Sequence, residues 1–237
     1  MMMKSCRCWM MGMMIRKVPY ILFFVLVPLV PLLGQDKDFR SWYEVEVDGD
    51  ITDRLGLSGE LELRTKNNSR HYDRSLLTLA ASYRINEFLG SAAGHRALLV
   101  NDFETGLEPR YRLHADLNGK HGVFGMDLSL RVRFQYGFEE PRYFTYWTDN
   151  TFVNRIKLKA GYHIFGTRLD LQASAESWGL ILDNNGTFFK RIRYGTGISC
   201  QLSFSSELGM HYILEDEFNQ VNPKQAHVLV LAYAYSF

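Results

Sequence analysis

From Phe39 to the end of the chain, apolar and polar side chains alternate, and no stretch repeats with the period of a helix. The clearest case is Val123 to Tyr136. Phe124, Met126, Leu128, Leu130, Val132, Phe134 and Tyr136 fall on one face, and Gly125, Asp127, Ser129, Arg131, Arg133 and Gln135 on the other. Side chains of an extended strand point to opposite faces in turn, so this segment predicts a strand oily on one side and ionic on the other. Ile156, Leu158, Ala160, Tyr162 and Ile164 oppose Arg155, Lys157, Lys159, Gly161 and His163 in the same way. Leu169, Leu171, Ala173 and Ala175 oppose Asp170, Gln172, Ser174 and Glu176, and Tyr111, Leu113, Ala115 and Leu117 oppose Arg110, Arg112, His114 and Asp116. The pattern recurs at Leu55–Arg64 and Arg191–Leu202, and it is weakest at Leu89–Val100, where Gly and Ala sit on both faces.

The connections have a rhythm of their own. Short turns are expected near Asp48–Arg54, Asn86–Phe88, Lys120–Gly122, Phe165–Thr167 and Phe204–Ser206. Longer loops are expected at Lys66–Asp73, Asn101–Glu108, Gly137–Asn150, Leu182–Thr187 and Phe218–Lys224. Tight turns at one end and longer loops at the other are the layout of an outer-membrane barrel. A soluble β-sandwich would need strands of only ~5–6 residues and would not need so ionic a polar face. The predicted fold class is therefore all-β, an antiparallel transmembrane β-barrel. Eleven strands can be counted, but single-chain bacterial barrels use even numbers. A terminal Phe belongs at the periplasmic side, so the last strand descends, and counting back makes the first strand, Phe39–Asp48, descend too. Twelve strands are expected, with ten as the alternative.

Two further segments bear on location. In Gln225–Phe237, Leu229, Leu231, Tyr233, Tyr235 and Phe237 share a face. A last strand with alternating aromatics that ends in Phe resembles the sorting signal read by barrel-assembly machinery, so Tyr233, Tyr235 and Phe237 are expected to form it. At the other end, Lys4, Arg7, Arg16 and Lys17 precede an uncharged apolar run from Val18 to Leu33. This reads as a cleaved signal peptide over residues 1–34 followed by a barrel over 35–237, with a single membrane anchor as the alternative.

Removing that leader changes the arithmetic. The remainder carries 23 basic against 26 acidic side chains, and of three Cys only Cys200 is left, so no internal disulfide can form. Cys6 and Cys8 precede the apolar run, which argues against a lipid anchor. Nothing in the chain suggests a nucleic-acid partner, and the partners expected are outer-membrane lipid and the assembly machinery.

Tyr83-Arg84-Ile85-Asn86-Glu87-Phe88-Leu89, the opening Asp38-Phe39-Arg40-Ser41-Trp42, Leu61-Glu62-Leu63-Arg64 and Phe152-Val153-Asn154-Arg155-Ile156-Lys157-Leu158 together carry a likeness. They resemble an outer-membrane barrel family common in Bacteroidetes and catalogued only as a domain of unknown function, over nearly all of 38–237. The resemblance implies a location and a fold. It brings no catalytic residues.

The chain has seven His, and hydrolase chemistry needs a His base together with a nucleophilic Ser and an orienting group. None has a Ser two residues later. His114 with Asp116, and His211 with Glu215, could each pair a base with its orienter, but ion-pair networks explain them more simply. No His-x-x-x-His and no carboxylate-rich loop suggests a metal, and Gly195-Thr196-Gly197 lies inside a strand, so no cofactor is expected. Trp42 and Trp178 fall on the ionic side, and Tyr143, Phe144, Tyr146 and Trp147 in the longest loop suggest an aromatic girdle.

The inferred lumen carries basic Arg110, Arg112, Arg131, Arg133, Arg155, Lys157, Lys159, Arg191 and Arg193, and acidic Glu44, Glu46, Glu60, Glu62, Asp116, Asp170 and Glu176. The acids of the first two strands and the bases of the middle strands are expected on opposing walls, paired across a narrow bore by salt bridges. The expected role is not enzymatic. A narrow pore or solute-transport barrel comes first and a closed structural or partner-binding barrel second. A lipid-modifying enzyme comes last.

Overall fold

A computed structural model describes residues 36–102, 106–139, 151–180, 188–218 and 223–237. The expected leader, and the aromatic cluster Tyr143–Trp147, lie outside these residues. The chain from Gln35 forms one unit, and its described part is strand and turn. In order these are β1 (Asp36–Asp50), β2 (Leu55–Lys66), β3 (His71–Arg84), β4 (Leu89–Asp102), β5 (Gly106–Val123) and β6 (Met126–Glu139). They continue as β7 (Thr151–His163), β8 (Leu169–Leu180), β9 (Phe188–Ser203), β10 (Ser206–Glu217) and β11 (Lys224–Ser236). Each strand pairs antiparallel with the next, and β1 pairs with β11 to close the barrel. The shortest strands have 12 residues, enough to cross a bilayer at a tilt.

Eleven strands correct both expected numbers. An odd number leaves the first and last strands running in the same direction, and the closing ladder is parallel, from Asp36↔Lys224 to Asp48↔Ser236. Evenly spaced, slanted hydrogen bonds make such a ladder possible without a twelfth strand. The first strand runs in the same direction as the last, as counting back through the turns implies, and parallel closure takes the place of an extra strand. The register keeps both faces consistent across the seam, since Trp42 meets Val230, Glu44 meets Ala232 and Glu46 meets Ala234.

Three connections differ from expectation. Lys120–Gly122 continues β5, and the turn lies at Phe124–Gly125. Positive φ at both residues, 52° and 78°, makes the left-handed two-residue hairpin that matches strand twist. Gly125 adopts that conformation freely and Phe124 does so against steric preference, which is why alternation alone ran the strand through it. On the other rim, the expected loop Lys66–Asp73 is the four-residue turn 67–70, in which Asn67, Asn68 and Ser69 all have positive φ. The Asn101–Glu108 loop shrinks too, because β4 runs to Asp102 and β5 starts at Gly106.

The tips of the short turns carry a feature that alternation did not reveal. Phe124 and Phe165 are 93% and 94% exposed, and Ile51, Phe88 and Phe204 project from the other three turns. All five turns of that rim therefore present a large apolar side chain outward.

Faces follow parity along most of each strand, with register shifts at Arg64/Thr65, Trp178/Gly179 and Ser206/Glu207. Leu61, Leu79, Leu113, Leu130, Leu158 and Leu208 stand exposed on the outside, while Glu62, Arg96, Asp116, Arg133, Glu176 and Glu215 are buried inside. Toward the looped rim the interior also has two apolar seams. Trp42, Ala226, Val228 and Val230 pack where β1 meets β11, and Leu76, Leu98 and Val100 pack between β3 and β4.

Candidate functional site: the charged bore

Three cavities follow one another down the bore. The first, at the looped rim, has a volume of about 520 Å³ and is lined by eight Arg or Lys, among them Arg40, Arg74, Arg112 and Lys224, against Asp73, Glu215 and Glu217. The middle one, about 400 Å³, holds Glu44, Glu46, Glu60 and Glu62 together with Arg131, Arg133, Arg155, Lys157 and Lys159. The third opens at the turn rim with about 560 Å³, and Lys120, Asp127, His163 and Asp170 line it. Trp42, Arg64 and Arg193 line both the first and the middle cavity, and Lys159, Gln172 and Glu207 line both the middle and the third.

A layer of stacked rings and guanidinium groups separates the upper two cavities. Arg64 lies 3.8 Å over the Trp42 ring and Arg155 3.9 Å over the Trp178 ring. Arg193 reaches both indoles, at 5.1 Å from Trp42 and 4.6 Å from Trp178. Cation–π contacts of this kind gain strength when shielded from water. Arg193 thus links β9 to β1 past two intervening strands, more than any ion pair among the described residues does.

The ion pairs run along the wall, which corrects the expectation of bridges across the bore. Arg133 donates from Nε to Asp116 Oδ1 and from Nη2 to Oδ2, both at 2.7 Å, and the two residues are opposite each other on β5 and β6. Arg155 donates to Glu176 at 2.8 Å from β7 to β8, and Arg193 binds Glu215 from β9 to β10. Arg191 holds Glu217 at 2.7 Å and Glu215 at 3.4 Å. Arg131 reaches Glu176, and Arg96 reaches Glu60 and Glu62, over a single intervening strand; Glu62 also binds Arg64 on its own strand. The cause is distance. Residues opposite each other on neighbouring strands have Cβ atoms roughly 4.5–5.5 Å apart, far closer than opposite walls.

Five charges of the middle cavity stay outside these pairs, Glu207 at its turn-rim end and four that face one another. Among the described residues, Glu44, Glu46, Lys157 and Lys159 form no ion pair within 4.0 Å. They lie in one another's field nonetheless, Glu44 in that of Lys157, and Glu46 in that of Lys159 and Arg131. The expected opposition of an acidic β1–β2 wall and a basic β6–β7 wall therefore describes the middle cavity, with space between the walls in place of salt bridges. Other predicted positions lie elsewhere. Arg110 pairs with Glu108 at 3.1 Å near the looped rim, Arg112 lines the upper cavity, and Asp170 contacts His163 at 2.9 Å at the turn rim.

The two base–orienter pairs considered from the sequence do not form. Arg133 occupies both Asp116 oxygens, and Glu215 is 1% exposed beneath Arg193. His211 is held instead by Gln172, whose Nε2 lies 2.6 Å from Nδ1. Among the described residues no group of three or more His, Cys, Asp or Glu could hold a metal ion.

Sequence reasoning did not bring one wall together. Gly195, Gly209, Ala232 and Ala234 line the middle cavity on β9, β10 and β11, where other strands present Arg or Glu. Ala232 and Ala234 leave space that long side chains elsewhere would fill, whereas His211 lies over Gly209 and Ser174 over Gly195.

Fold and bore together define a closed eleven-stranded β-barrel with an ionic interior and an apolar exterior. The chain belongs to the family described as protein of unknown function DUF2490, which it matches over residues 39–226. No curated protein matches it.

Proposed function

We propose that this protein spans a bacterial outer membrane and offers small hydrophilic solutes a narrow, charged passage. The observation that carries the reading is the run of three cavities, each sharing lining residues with the next. Its exterior supports the location. Exposed Leu, Val, Tyr and Ile side chains occur around the whole circumference, far more contiguous apolar surface than a soluble monomer tolerates. In lipid that surface is the solvent-facing belt, and the projecting Phe side chains of the turns fit an interfacial position. On this reading a cleaved leader exports the chain, assembly machinery reads the outward Tyr233 and Tyr235 of β11, and the protein performs no catalysis.

A closed structural barrel is the second reading, and the Trp42–Arg193–Trp178 layer is what favours it. Planar-bilayer recording on the refolded protein separates the two. The passage predicts a small conductance with a weak anion preference, set by the basic upper cavity and fading as salt rises. A large, stable, cation-selective conductance contradicts this account of the interior, and silence under all conditions favours the closed barrel.

A further inference from the structure

We infer that the middle cavity is a binding site for a small zwitterion, a molecule that carries an ammonium at one end and a carboxylate at the other, such as an amino acid or short peptide. The inference deepens the passage reading and rests on it.

The cavity has two charged walls of opposite sign. On β1, Glu44 and Glu46 are two residues apart and so share a face, and on β7 Lys157 and Lys159 do the same. All four line the same cavity, Glu44 in the field of Lys157 as well as Arg64 and Arg96, and Glu46 in that of Lys159 and Arg131. Most other charges of the cavity, including Glu62, Arg133, Arg155 and Glu176, satisfy one another along the wall. These four do not, and among the described residues none has an ion-pair partner within 4.0 Å.

The gap between the walls is built into the chain. Opposite Glu44 and Glu46 in the closing ladder stand Ala232 and Ala234, and Gly209 and Gly195 continue the small wall on the next two strands. Long side chains in place of Ala232 and Ala234 would fill the middle of the bore, while His211 and Ser174 already cover Gly209 and Gly195. The resulting volume of about 400 Å³ falls at the small end of ligand sites.

Unpaired opposite charges held apart across a partly desolvated space select by charge pattern. An anion gains from the Lys157–Lys159 wall and is repelled by the Glu44–Glu46 wall, and a cation meets the reverse. A solute with both charges, its carboxylate toward the lysines and its ammonium toward the glutamates, gains from both walls. Interactions over a few ångströms are several times stronger there than in bulk water, so the second charge contributes substantially.

The probe is alanyl-alanine, compared with N-acetyl-alanyl-alanine, which keeps only the carboxylate, and alanyl-alaninamide, which keeps only the ammonium. Calorimetric titration into the protein folded in detergent micelles should show the zwitterion binding about tenfold more tightly than either blocked form, and more weakly as salt rises. The variant Lys157→Met with Lys159→Met should bind alanyl-alanine and alanyl-alaninamide alike. Glu44→Gln with Glu46→Gln should instead equalise alanyl-alanine and the acetylated form. Such reciprocal losses are not what mere structural damage produces, and the three-probe comparison on the wild-type protein needs no variant to fold. If the barrel conducts but binds the three probes alike, the passage stands and the zwitterion site is overturned. If it neither conducts nor binds, both fall.

Discussion

Replacing Arg193 with alanine is expected to destabilise the barrel by about 3 kcal/mol and to raise its conductance. Arg193 binds Glu215 and lies 3.7 Å from Glu176, and both carboxylates are buried. Removing one member of a buried pair leaves the other charge without compensation, which typically costs roughly 3–5 kcal/mol. The lower end applies, because Glu215 keeps Arg191 at 3.4 Å and Glu176 keeps Arg155 at 2.8 Å. Conductance should rise because Arg193 also sits between the Trp42 and Trp178 rings, at the step between the upper and middle cavities. Arg193→Lys retains the charge but neither the planar fork nor its stacking, and should fall between the two. Urea midpoints and single-channel recordings on the three proteins measure both effects. Wild-type stability and conductance in Arg193→Ala would mean that the layer neither holds the wall nor narrows the bore.

Leu158→Arg should cost about 2–4 kcal/mol when the barrel is unfolded from lipid vesicles. Leu158 lies midway along β7 on the outer face, 54% exposed, between Leu130 and Ala175 on the adjoining strands. In hydrocarbon an arginine there has no partner. In water the same change, at an exposed position, should cost roughly 0.5 kcal/mol or less. Ser129→Arg is the control, since Ser129 faces the bore beside Lys159 and lines the turn-rim cavity. It adds a like charge near Lys159 yet remains in reach of water, so its cost should be the smaller. Equal costs for the two substitutions would show that the outer belt does not face lipid.

Alternation told which way each strand's side chains point, and little more was needed to put Arg131, Glu62 or Trp178 inside. It could not tell which charges meet. Sliding one strand past its neighbour by one residue reverses every face, but sliding it by two preserves the faces and changes every partner. The pairing of Asp116 with Arg133, or Glu215 with Arg193, depends on that second kind of register, set by turns such as Phe124–Gly125. The small wall was hidden for a related reason. Gly195, Gly209 and the Ala232–Ala234 pair lie on three different strands and become one surface only when β9, β10 and β11 lie side by side. The apolar seams did leave a signal. Val228-Leu229-Val230-Leu231 and Ala97-Leu98-Leu99-Val100 are unbroken apolar runs, which mark strand segments apolar on both faces.

The central claim is that the apolar exterior faces a membrane, and fractionation of cells producing the protein tests it most directly. Recovery in the outer-membrane fraction is expected, as a band that migrates differently before and after heating, as a folded barrel does. Recovery as soluble periplasmic material with no heat-dependent shift would contradict it.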